Sequence, residues 1–400
     1  MGRINSGLLF LQYMSRFHSH LNTAVKIIDS YKGEMPLAAY LKQFFAAEKK
    51  YGSTDRKQLT HLCYCYYRLG FAAANLSTER RIILAYFLCN NTASPFLEAI
   101  QPEWNELITG TLAEKTAHIQ YEFSVSDIFP FADAVNVDAK SFSQSFLHQP
   151  GVHLRIRPGQ QKKVLDKLKS LALNFIIEED CICLSPGTNV AQLATTDCTV
   201  VIQDYNSQKV LDYLKTSAAN FNHTSPQLWD CCAASGGKSI LAFDILGGKI
   251  QLTVSDIRES ILANLKHRFS RAGIKNYTAF TVNLLHPDAV PAATLFDIVI
   301  CDAPCTGSGT WARTPEQLYF FKPAAIADFS KKQKAIAANA ARAVKAGGLF
   351  FYITCSVFRE ENEAVVNWLA TTQQLQILHM KLLEGWHKNA DSMFVAVFGK

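Results

Sequence analysis

The sequence predicts an α/β protein, in which a mostly parallel sheet carries helices on both faces. Two observations predict this fold class. From about residue 227 onward, short apolar runs typical of strands alternate with helical segments. Before about residue 120, apolar side chains recur three and four positions apart, as they do on one face of a helix. We therefore expect an all-α N-terminal domain and a C-terminal α/β domain.

Length and composition agree with more than one domain. A chain of 400 residues typically forms two or three domains, and a hydrophobic content of 48% is ample for buried cores. We expect a helical domain over residues 1–145, a small α/β module over 146–215 and a catalytic domain over 216–400. In the first of these, Ser53-Thr54-Asp55 offers a helix cap before the apolar positions that begin at Leu59.

The middle segment predicts the small α/β module, with one basic face. Residues 152–157 alternate like a strand and are followed by a Pro-Gly pair. A helix with four lysines is predicted over residues 160–170, and short strands over 175–177 and 181–184. Lysines gathered on one helix are typical of a surface that contacts phosphates, so we expect this module to contact nucleic acid.

The last part of the chain predicts repeated strand–helix units. Asp328 is the expected cap of one of its helices, and Gly347-Gly348 the expected end of that helix. Repeated units of this kind build a parallel sheet whose strands all end at the same edge. The strands are predicted over 228–230, 250–256, 277–282, 296–300, 349–354 and 393–398, and the helices over 239–246, 258–272, 328–345 and 361–370.

The charge is uneven along the chain. The net charge is +6, and residues 1–90 contain 12 lysines and arginines against 5 aspartates and glutamates. Basic residues gain free energy by displacing counterions from phosphates, so this excess favours a polyanionic partner. The alternative, a solvated helical surface without such a partner, stays open at this point.

Composition also bears on location and metal content. The 11 cysteines are an odd number and no secretory signal precedes them, so we expect reduced thiols and a cytoplasmic location. The C-x-C pairs at Cys63 and Cys181 lack the spacing of a zinc site, so no metal is predicted. No apolar run has the length of a membrane span, so no membrane contact is expected, and a monomer is the default assumption.

Two cysteines follow two of the predicted strands. Cys305 lies in the loop Asp302-Ala303-Pro304-Cys305 after the strand over 296–300, and Cys355 follows the strand over 349–354. Ligands bind at the carboxyl ends of parallel strands, so both thiols can line one cleft. A single buried cysteine is usually a small apolar side chain, but two at such strand ends indicate chemistry.

A loop rich in small residues joins the first strand of this domain to its first helix. Gly236 and Gly237 let the backbone approach a ligand, and the free amides of a helix N-terminus attract an anion or carboxylate. The Gly-Lys-Ser at its end is similar to a P-loop, but Cys232 stands where that motif needs glycine, which disfavours a nucleoside triphosphate. Asp256 ends the next strand, where a carboxylate suits ribose hydroxyls or, alternatively, caps a helix.

Together these motifs resemble the RsmB/Sun-type RNA cytosine-C5 methyltransferases, which use S-adenosyl-L-methionine. The resemblance implies a Rossmann-like class I S-adenosylmethionine-dependent methyltransferase domain. It covers about residues 150–400 and is carried by Gln203-Asp204, Asp230 to Ser239, Asp256, Asp302 to Gly309, Thr354-Cys355-Ser356, Glu361-Asn362-Glu363 and Ala390 to Phe394. A weaker match joins Tyr51 to Arg56 and Tyr66 to Arg68 to the NusB-like helical RNA-binding domain of the bacterial 16S rRNA members.

The resemblance implies a role for each residue of the site. Cys355 is the nucleophile that adds to C6 of the cytosine, and Cys305 assists removal of the C5 proton and release of the product. Asp302 interacts with the N3/N4 edge of the pyrimidine, and Lys238 brings positive charge that favours a thiolate. The implied cofactor-binding residues are Cys232, Ala233, Ala234, Ser235, Gly236, Gly237, Lys238, Asp256, Arg258, Asn283 and Asp302.

The chain departs from the family pattern at a few positions. Ser235 stands where proline is usual, which should loosen the loop, and Asn283 stands near where an aspartate often contacts the adenine amino group. Three alternatives remain beside methylation of 16S rRNA. They are methylation of a tRNA cytosine, a non-catalytic RNA-binding role in ribosome assembly, and methylation of a DNA cytosine, which needs only the Pro-Cys thiol.

Overall fold

The computed structural model describes residues 4–193, 196–217, 225–290 and 295–400. The described chain divides into two compact units. The α/β fold class with a helical N-terminal region is confirmed. The three domain boundaries stay a prediction, since the predicted small module and the larger sheet fall in one unit. The helical unit comprises Met1–Asp133, Asp138–Gln149 and Trp311–Lys322, and the α/β unit comprises Ala134–Val137, Pro150–Thr310 and Pro323–Lys400.

The helical unit is built from amphipathic helices that bury their apolar faces, and its core includes Leu41, Leu62, Leu84 and Phe96. This confirms the predicted helical region. In the described part of the chain, no helix is long and apolar enough to cross a membrane. The helices up to residue 145 are α1 Ile4–Ser30, α2 Leu37–Ala47, α3 Ser53–Arg68, α4 Thr78–Cys89, α5 Pro95–Ile100, α6 Pro102–Leu107, α7 Leu112–Ala117 and α8 Ala139–Ser145.

A small antiparallel sheet lies near the start of the α/β unit. Its elements are β1 Val152–Ile156, α9 Gln161–Ser170, β2 Phe175–Glu178, β3 Cys181–Leu184 and β4 Val200–Ile202, followed by α10 Tyr205–Lys209 and α11 Asp212–Ser217. Over the described residues the strand order is β2-β3-β1-β4. Leu154 and Ile182 of the sheet pack against Val164 and Leu168 of the basic helix α9. The predicted strands and helix are confirmed, but β4 was not predicted because three residues are too few to show alternation.

The larger sheet carries the strand–helix repeats. Its strands are β5 Gln227–Asp230, β6 Gln251–Asp256, β7 Tyr277–Thr281, β8 Phe296–Asp302, β9 Val344–Thr354, β10 Gln376–Leu383 and β11 Met393–Gly399. Among the described residues the order is β10-β11-β9-β8-β5-β6-β7. The strands from β9 to β7 are parallel, and β10 and β11 pair antiparallel. The predicted mostly parallel sheet is confirmed, but the edge strand β10 was not predicted, because its largely exposed residues show no clean alternation.

Helices cover both faces of this sheet. The helices along this part of the chain are α12 Gly237–Ile245, α13 Glu259–Ala272, α14 Pro315–Tyr319, α15 Ala324–Arg342 and α16 Glu363–Thr372, of which α14 belongs to the helical unit. Successive side chains of β8 point to opposite faces, as strand geometry requires. Ile298 and Ile300 join the core under α12 and α13. Val299 and Cys301 join the core under α15 and α16.

Two predicted helix starts differ from the structure. Gly52, one residue before the predicted Ser53-Thr54-Asp55, takes the cap position of α3, and Asp55 contributes to the cap by accepting from the backbone N–H of Gly52 at 3.4 Å. The helix expected to begin at Asp328 begins at Ala324, because Pro323 precedes it and the fixed φ of proline suits a helix start.

The glycines expected to end α15 instead lie inside β9. The register between β8 and β9 shifts between Phe296 and Ile298, which marks an irregularity of the bulge type. Gly347 adopts φ 75°, and a Cβ added at Gly348 would lie 2.8 Å from the carbonyl oxygen of Asp297. Glycine is therefore needed here for the close approach of two strands, and not for the end of a helix.

The segment Trp311–Lys322 belongs to the helical unit, although it follows Thr310 of the α/β unit in sequence. Arg68 is buried on α3, and its guanidinium donates to the carbonyl oxygen of Ala312 at 2.9 Å. The backbone N–H of Leu37 donates to Glu316 Oε1 at 3.1 Å. The sequence analysis placed this segment in the catalytic domain, because nothing in the local pattern marks residues that leave one unit for another.

Candidate active site

The parallel strands of the larger sheet end at one edge, and the predicted site residues lie there. The cofactor loop, residues 231–236, follows β5, and Asp256 and Asp302 end β6 and β8. Asn283 follows β7, and Cys355 follows β9. Because these strands are neighbours in the sheet, the arrangement is that of a ligand site of a doubly wound fold.

Cys305 and Cys355 face each other at this edge. Their Sγ atoms lie 3.3 Å apart, and both side chains are half-buried. The hydrogen bond to Cys355, together with burial, raises the pKa of Cys305 well above that of an ordinary thiol. The structure thus brings together the two thiols that the sequence singles out.

Lys238 brings a positive charge to this pair. Its Nζ donates to Asp302 Oδ2 at 2.5 Å, and only 12% of the Lys238 side chain is exposed. Burial alone lowers the pKa of Lys238, but the negative charges of Asp302 and Cys355 act against it, and the net pKa is raised. Lys238 is therefore an ammonium ion at neutral pH, and its charge interacts with Asp302 and Cys355.

The Glu361 frame, formed by Glu361, Thr306, Ser356 and Gln333, joins the two loops that carry the thiols. Glu361 is fully buried. Its carboxylate accepts from the backbone N–H of Thr306 at 2.9 Å and from Thr306 Oγ1 at 2.5 Å. It also accepts from Ser356 Oγ at 2.6 Å and from Gln333 Nε2 at 2.8 Å. A buried carboxylate is costly unless donors surround it, and this one has donors from both loops and from α15.

The sequence motifs do not reveal the role of this frame. Glu361 appears there only as part of a family motif, and Gln333 belongs to none of the motifs. The available signal was a polar residue on the buried face of α15, between Ser330 and Ile336. Such a residue needs a partner when it is buried, but the sequence does not say which one.

The loop after Cys305 needs glycine at position 309, because its backbone lies very close to two other segments. The N–H of Gly309 donates to the carbonyl oxygen of Cys355 at 2.8 Å, and its own carbonyl accepts from the N–H of Ser392 at 2.9 Å. A Cβ at this position would lie 2.2 Å from the carbonyl oxygen of Ser392. Only glycine allows this close approach, which holds the loops of both cysteines against the segment before β11.

The cofactor loop, which is predicted to bind S-adenosyl-L-methionine, has an unusual backbone conformation. Ala234 and Gly236 are both left-handed, with φ of 45° and 82°. The N–H of Ala234 donates to Asp256 Oδ2 at 3.1 Å. A Cβ on Gly236 would lie 2.7 Å from Phe269, so glycine is required there. Gly236 also precedes α12, whose free first-turn N–H groups suit a carboxylate.

The remaining predicted cofactor residues lie beside this loop. Asp256 Oδ1 accepts from the backbone N–H of Arg258 at 2.9 Å and from its Nε at 3.1 Å. The Arg258 side chain is 57% exposed and pairs with Asp256, and the contact of Asp256 with a ribose stays a prediction. Asn283 Oδ1 accepts from the N–H of Leu285 at 3.1 Å and supports a local turn. Its contact with adenine stays a prediction.

Three further thiols form the three-thiol cluster of Cys231, Cys232 and Cys301. Their sulfurs all lie within 4.8 Å of one another. Cys231 and Cys301 are fully buried at adjacent strand ends, and burial raises the pKa of Cys231 well above that of an ordinary thiol. The sequence analysis did not bring these residues together, and its expectation that the protein holds no metal stays a prediction.

The fold and the site define a class I methyltransferase, and S-adenosyl-L-methionine is the cofactor of that class. The model of the family described as 16S rRNA methyltransferase RsmB/F matches residues 218–397. The predicted resemblance to this family and the predicted cofactor are confirmed for this part of the chain, which is somewhat less than half of its length.

The comparisons with individual proteins agree with this family. The probable ribosomal RNA small subunit methyltransferase B of Bacillus subtilis is 27% identical over 262 residues, which are 64% of this chain and 56% of that protein. This chain therefore spans little more than half the length of that relative. The crystal structure of PH0851 matches 94% of this chain and 97% of its own, with a TM-score of 0.65 at 17% identity. A methyltransferase homologue from Pyrococcus horikoshii matches 68% of this chain and 95% of its own, with a TM-score of 0.56 at 20% identity. These two likenesses show the fold.

Proposed function

We propose that this chain transfers a methyl group from S-adenosyl-L-methionine to C5 of a cytosine in 16S rRNA. The observation that carries the proposal is the pair of thiols, Cys305 and Cys355, with sulfurs 3.3 Å apart at two neighbouring strand ends. A relative named as a small-subunit rRNA methyltransferase supports the choice of RNA. The cysteine content supports the predicted cytoplasmic location, because reducing compartments keep thiols free.

Cysteine chemistry overcomes the weak nucleophilicity of cytosine C5. The thiolate of Cys355 adds to C6, a C6–S bond forms, and the ring becomes an enamine whose C5 is a better nucleophile. Lys238 favours the thiolate that starts this step. Asp302 is 28% exposed and can reach the N3/N4 edge of the base while it keeps its bond to Lys238. S-adenosyl-L-methionine, when bound at the cofactor loop and Asp256, supplies the electrophilic methyl group.

Cys305 then has the second role. While Cys355 is free, its hydrogen bond with Cys305 keeps the pKa of Cys305 high. Once Cys355 is bonded to carbon, that hydrogen bond is weakened, and Cys305 can lose its proton to solvent water. The resulting thiolate removes the C5 proton, the C6–S bond breaks, and its electron pair returns to Cys355 as a thiolate.

The target base must leave its stack or be unpaired, because the reacting atoms of a stacked base cannot reach thiols at a sheet edge. The basic residues of α9 and of the N-terminal helices support contact with the phosphates of such an RNA. The NusB-like character of the helical region and a monomeric state belong to this proposal.

The test is methyl transfer from labelled S-adenosyl-L-methionine to 16S rRNA, free and in 30S particles, from cells that lack this gene. We expect one methylated cytosine by bisulfite sequencing, no transfer by Cys355→Ala, and a covalent RNA adduct with Cys305→Ala. Cys198→Ala, which changes an exposed cysteine, is the matched control.

Each other outcome points to a different function. Transfer only to tRNA would replace the substrate. Activity in Cys355→Ala that is lost in Cys305→Ala would match the Pro-Cys chemistry of DNA methylation. Binding of cofactor and RNA without any transfer would support a non-catalytic role in ribosome assembly.

A further inference from the structure

The cofactor loop holds a conformation that needs external support. Ala234 has φ 45°, a left-handed value that residues with a Cβ rarely adopt, and Gly236 is left-handed as well. Such conformations persist only where neighbouring groups hold them. Asp256 holds one side of the loop through the N–H of Ala234. The residue between the two left-handed positions, Ser235, needs a partner of its own.

Arg268 is that partner. It lies on α13, and its Nη1 donates to the backbone carbonyl oxygen of Ser235 at 3.0 Å and to Ser235 Oγ at 2.9 Å. The ring of the next residue, Phe269, lies close to Gly236 of the loop. The expectation that Ser235 loosens the loop is therefore incomplete, because its hydroxyl accepts a bond that a proline side chain cannot.

Arg268 is itself held by the small module. Its Nε and Nη2 donate to Asp197 Oδ1 at 3.0 and 2.8 Å. Asp197 precedes β4 and only 1% of its side chain is exposed, so the ion pair is shielded from water. Arg271, one turn along α13, reaches the other oxygen of Asp197 at 2.6 Å, but its side chain is 57% exposed.

We propose that Arg268 is a positioning residue that fixes the cofactor loop for S-adenosyl-L-methionine, and that Asp197 of the small module anchors it. The inference rests on the proposed function, because it assigns the loop to that cofactor. Arg268 acts through Ser235 and needs no contact with the cofactor. It thereby makes cofactor affinity depend on the module that is expected to contact RNA.

The test measures binding of S-adenosyl-L-methionine to the full-length protein by calorimetry, without RNA. We expect Arg268→Met to weaken binding about tenfold and Ser235→Ala about threefold, because the first removes both bonds to the loop and the second only one. Arg268→Lys keeps a charged donor and should recover part of the loss. Arg271→Met is the matched control, since it removes an ion pair to the same carboxylate, and it should change affinity less than about twofold.

Kinetics and stability separate positioning from a general structural role. For Arg268→Met the KM for S-adenosyl-L-methionine should rise while kcat at saturation stays close to that of the wild type. The midpoint of thermal unfolding should fall because the buried Asp197 loses a partner, so affinity and kinetics are measured well below that midpoint. If the wild-type protein bound no S-adenosyl-L-methionine, the proposed function itself would be contradicted. Wild-type binding with equal affinity in Arg268→Met, or equal losses in Arg268→Met and Arg271→Met, would overturn only the role of Arg268. If Arg268→Met does not fold, Ser235→Ala decides, and unchanged affinity in that variant overturns the proposal.

Discussion

Two groups of thiols at the same edge of one sheet have opposite surroundings. Cys305 and Cys355 are half-buried and lie between loops that the four hydrogen bonds to Glu361 hold together. In the three-thiol cluster, Cys231 and Cys301 are fully buried among apolar side chains, and hydrogen bonds from Cys231 and Cys232 lower the pKa of Cys301 to about 6. The difference teaches that solvent exposure at the strand ends, and not the number of thiols or the donors beside them, decides whether a thiol can meet a substrate.

The buried carboxylates beside the two groups repeat this contrast. Glu361 has donors for both of its oxygens. Asp230, near the cluster, accepts from Ser239 Oγ at 2.6 Å, and among the described residues its Oδ1 has no partner. Burial raises the pKa of Asp230 to about 7. The first carboxylate orders two loops, whereas the second is held in a site that disfavours its charge.

The largest expected difference is in thiol reactivity. Iodoacetamide at neutral pH should modify Cys355 at least about 1000-fold faster than Cys301, because Cys355 is half-buried beside an ammonium ion and Cys301 is enclosed. Peptide mass spectrometry over a time course measures both rates, with the exposed Cys198 as reference. Equal rates at Cys355 and Cys301 would remove the contrast between the groups.

The spacing of the reactive pair should depend on Gly309. Gly309→Ala places a Cβ 2.2 Å from the carbonyl oxygen of Ser392, so the loops must separate. We expect a loss of about 3 kcal/mol in the free energy of unfolding, measured in urea. Gly52→Ala is the control, since the nearest atom to its Cβ would be 3.7 Å away. A stable and fully active Gly309→Ala variant would mean that this approach is not needed.

Removing the charge of Glu361 should lower the rate of methyl transfer more than it destabilises the fold. Glu361→Gln keeps the size but turns an NH2 group toward the donors of Thr306 or Ser356, so the loops should shift. We expect kcat for methyl transfer to fall about 30-fold. Glu360→Gln changes an exposed neighbour and should leave kcat unchanged. If the two variants had the same kcat, the frame would have no part in placing the thiols.

The smallest expected effect concerns pH and Asp230. Its pKa is about 7 in the folded protein and near 3.8 when unfolded, so the folded state binds more protons between those values. The stability contributed by the protonated carboxyl is therefore present at low pH and is lost as the pH rises toward 7. Asp230→Asn removes this loss, and its stability relative to wild type should increase by about 1 to 2 kcal/mol between pH 6 and pH 8. Urea unfolding at both pH values measures it, and exposed Asp328→Asn should show no such trend.

The sequence predicts the sheet, its strand ends and the candidate thiols, because these follow from patterns that repeat along the chain. Cys305 and Cys355 could be placed together because both follow strands of one parallel sheet. The three-thiol cluster could not, because the contact of Cys231 with Cys301 depends on β5 lying next to β8, and strand order is a property of the packed sheet. The partners of Arg268 could not be predicted for the same reason, since Asp197 is 71 residues away in sequence.

Because Trp311–Lys322 belongs to the helical unit, the order of synthesis limits when that unit can fold. Arg68 and Leu37 emerge early from the ribosome, but the carbonyl of Ala312 and the carboxylate of Glu316 that they bind are synthesised more than 200 residues later. The helical unit therefore cannot complete its fold when its own N-terminal residues have emerged. It must wait until the chain has passed Lys322, by which time β5 to β8 have also been synthesised.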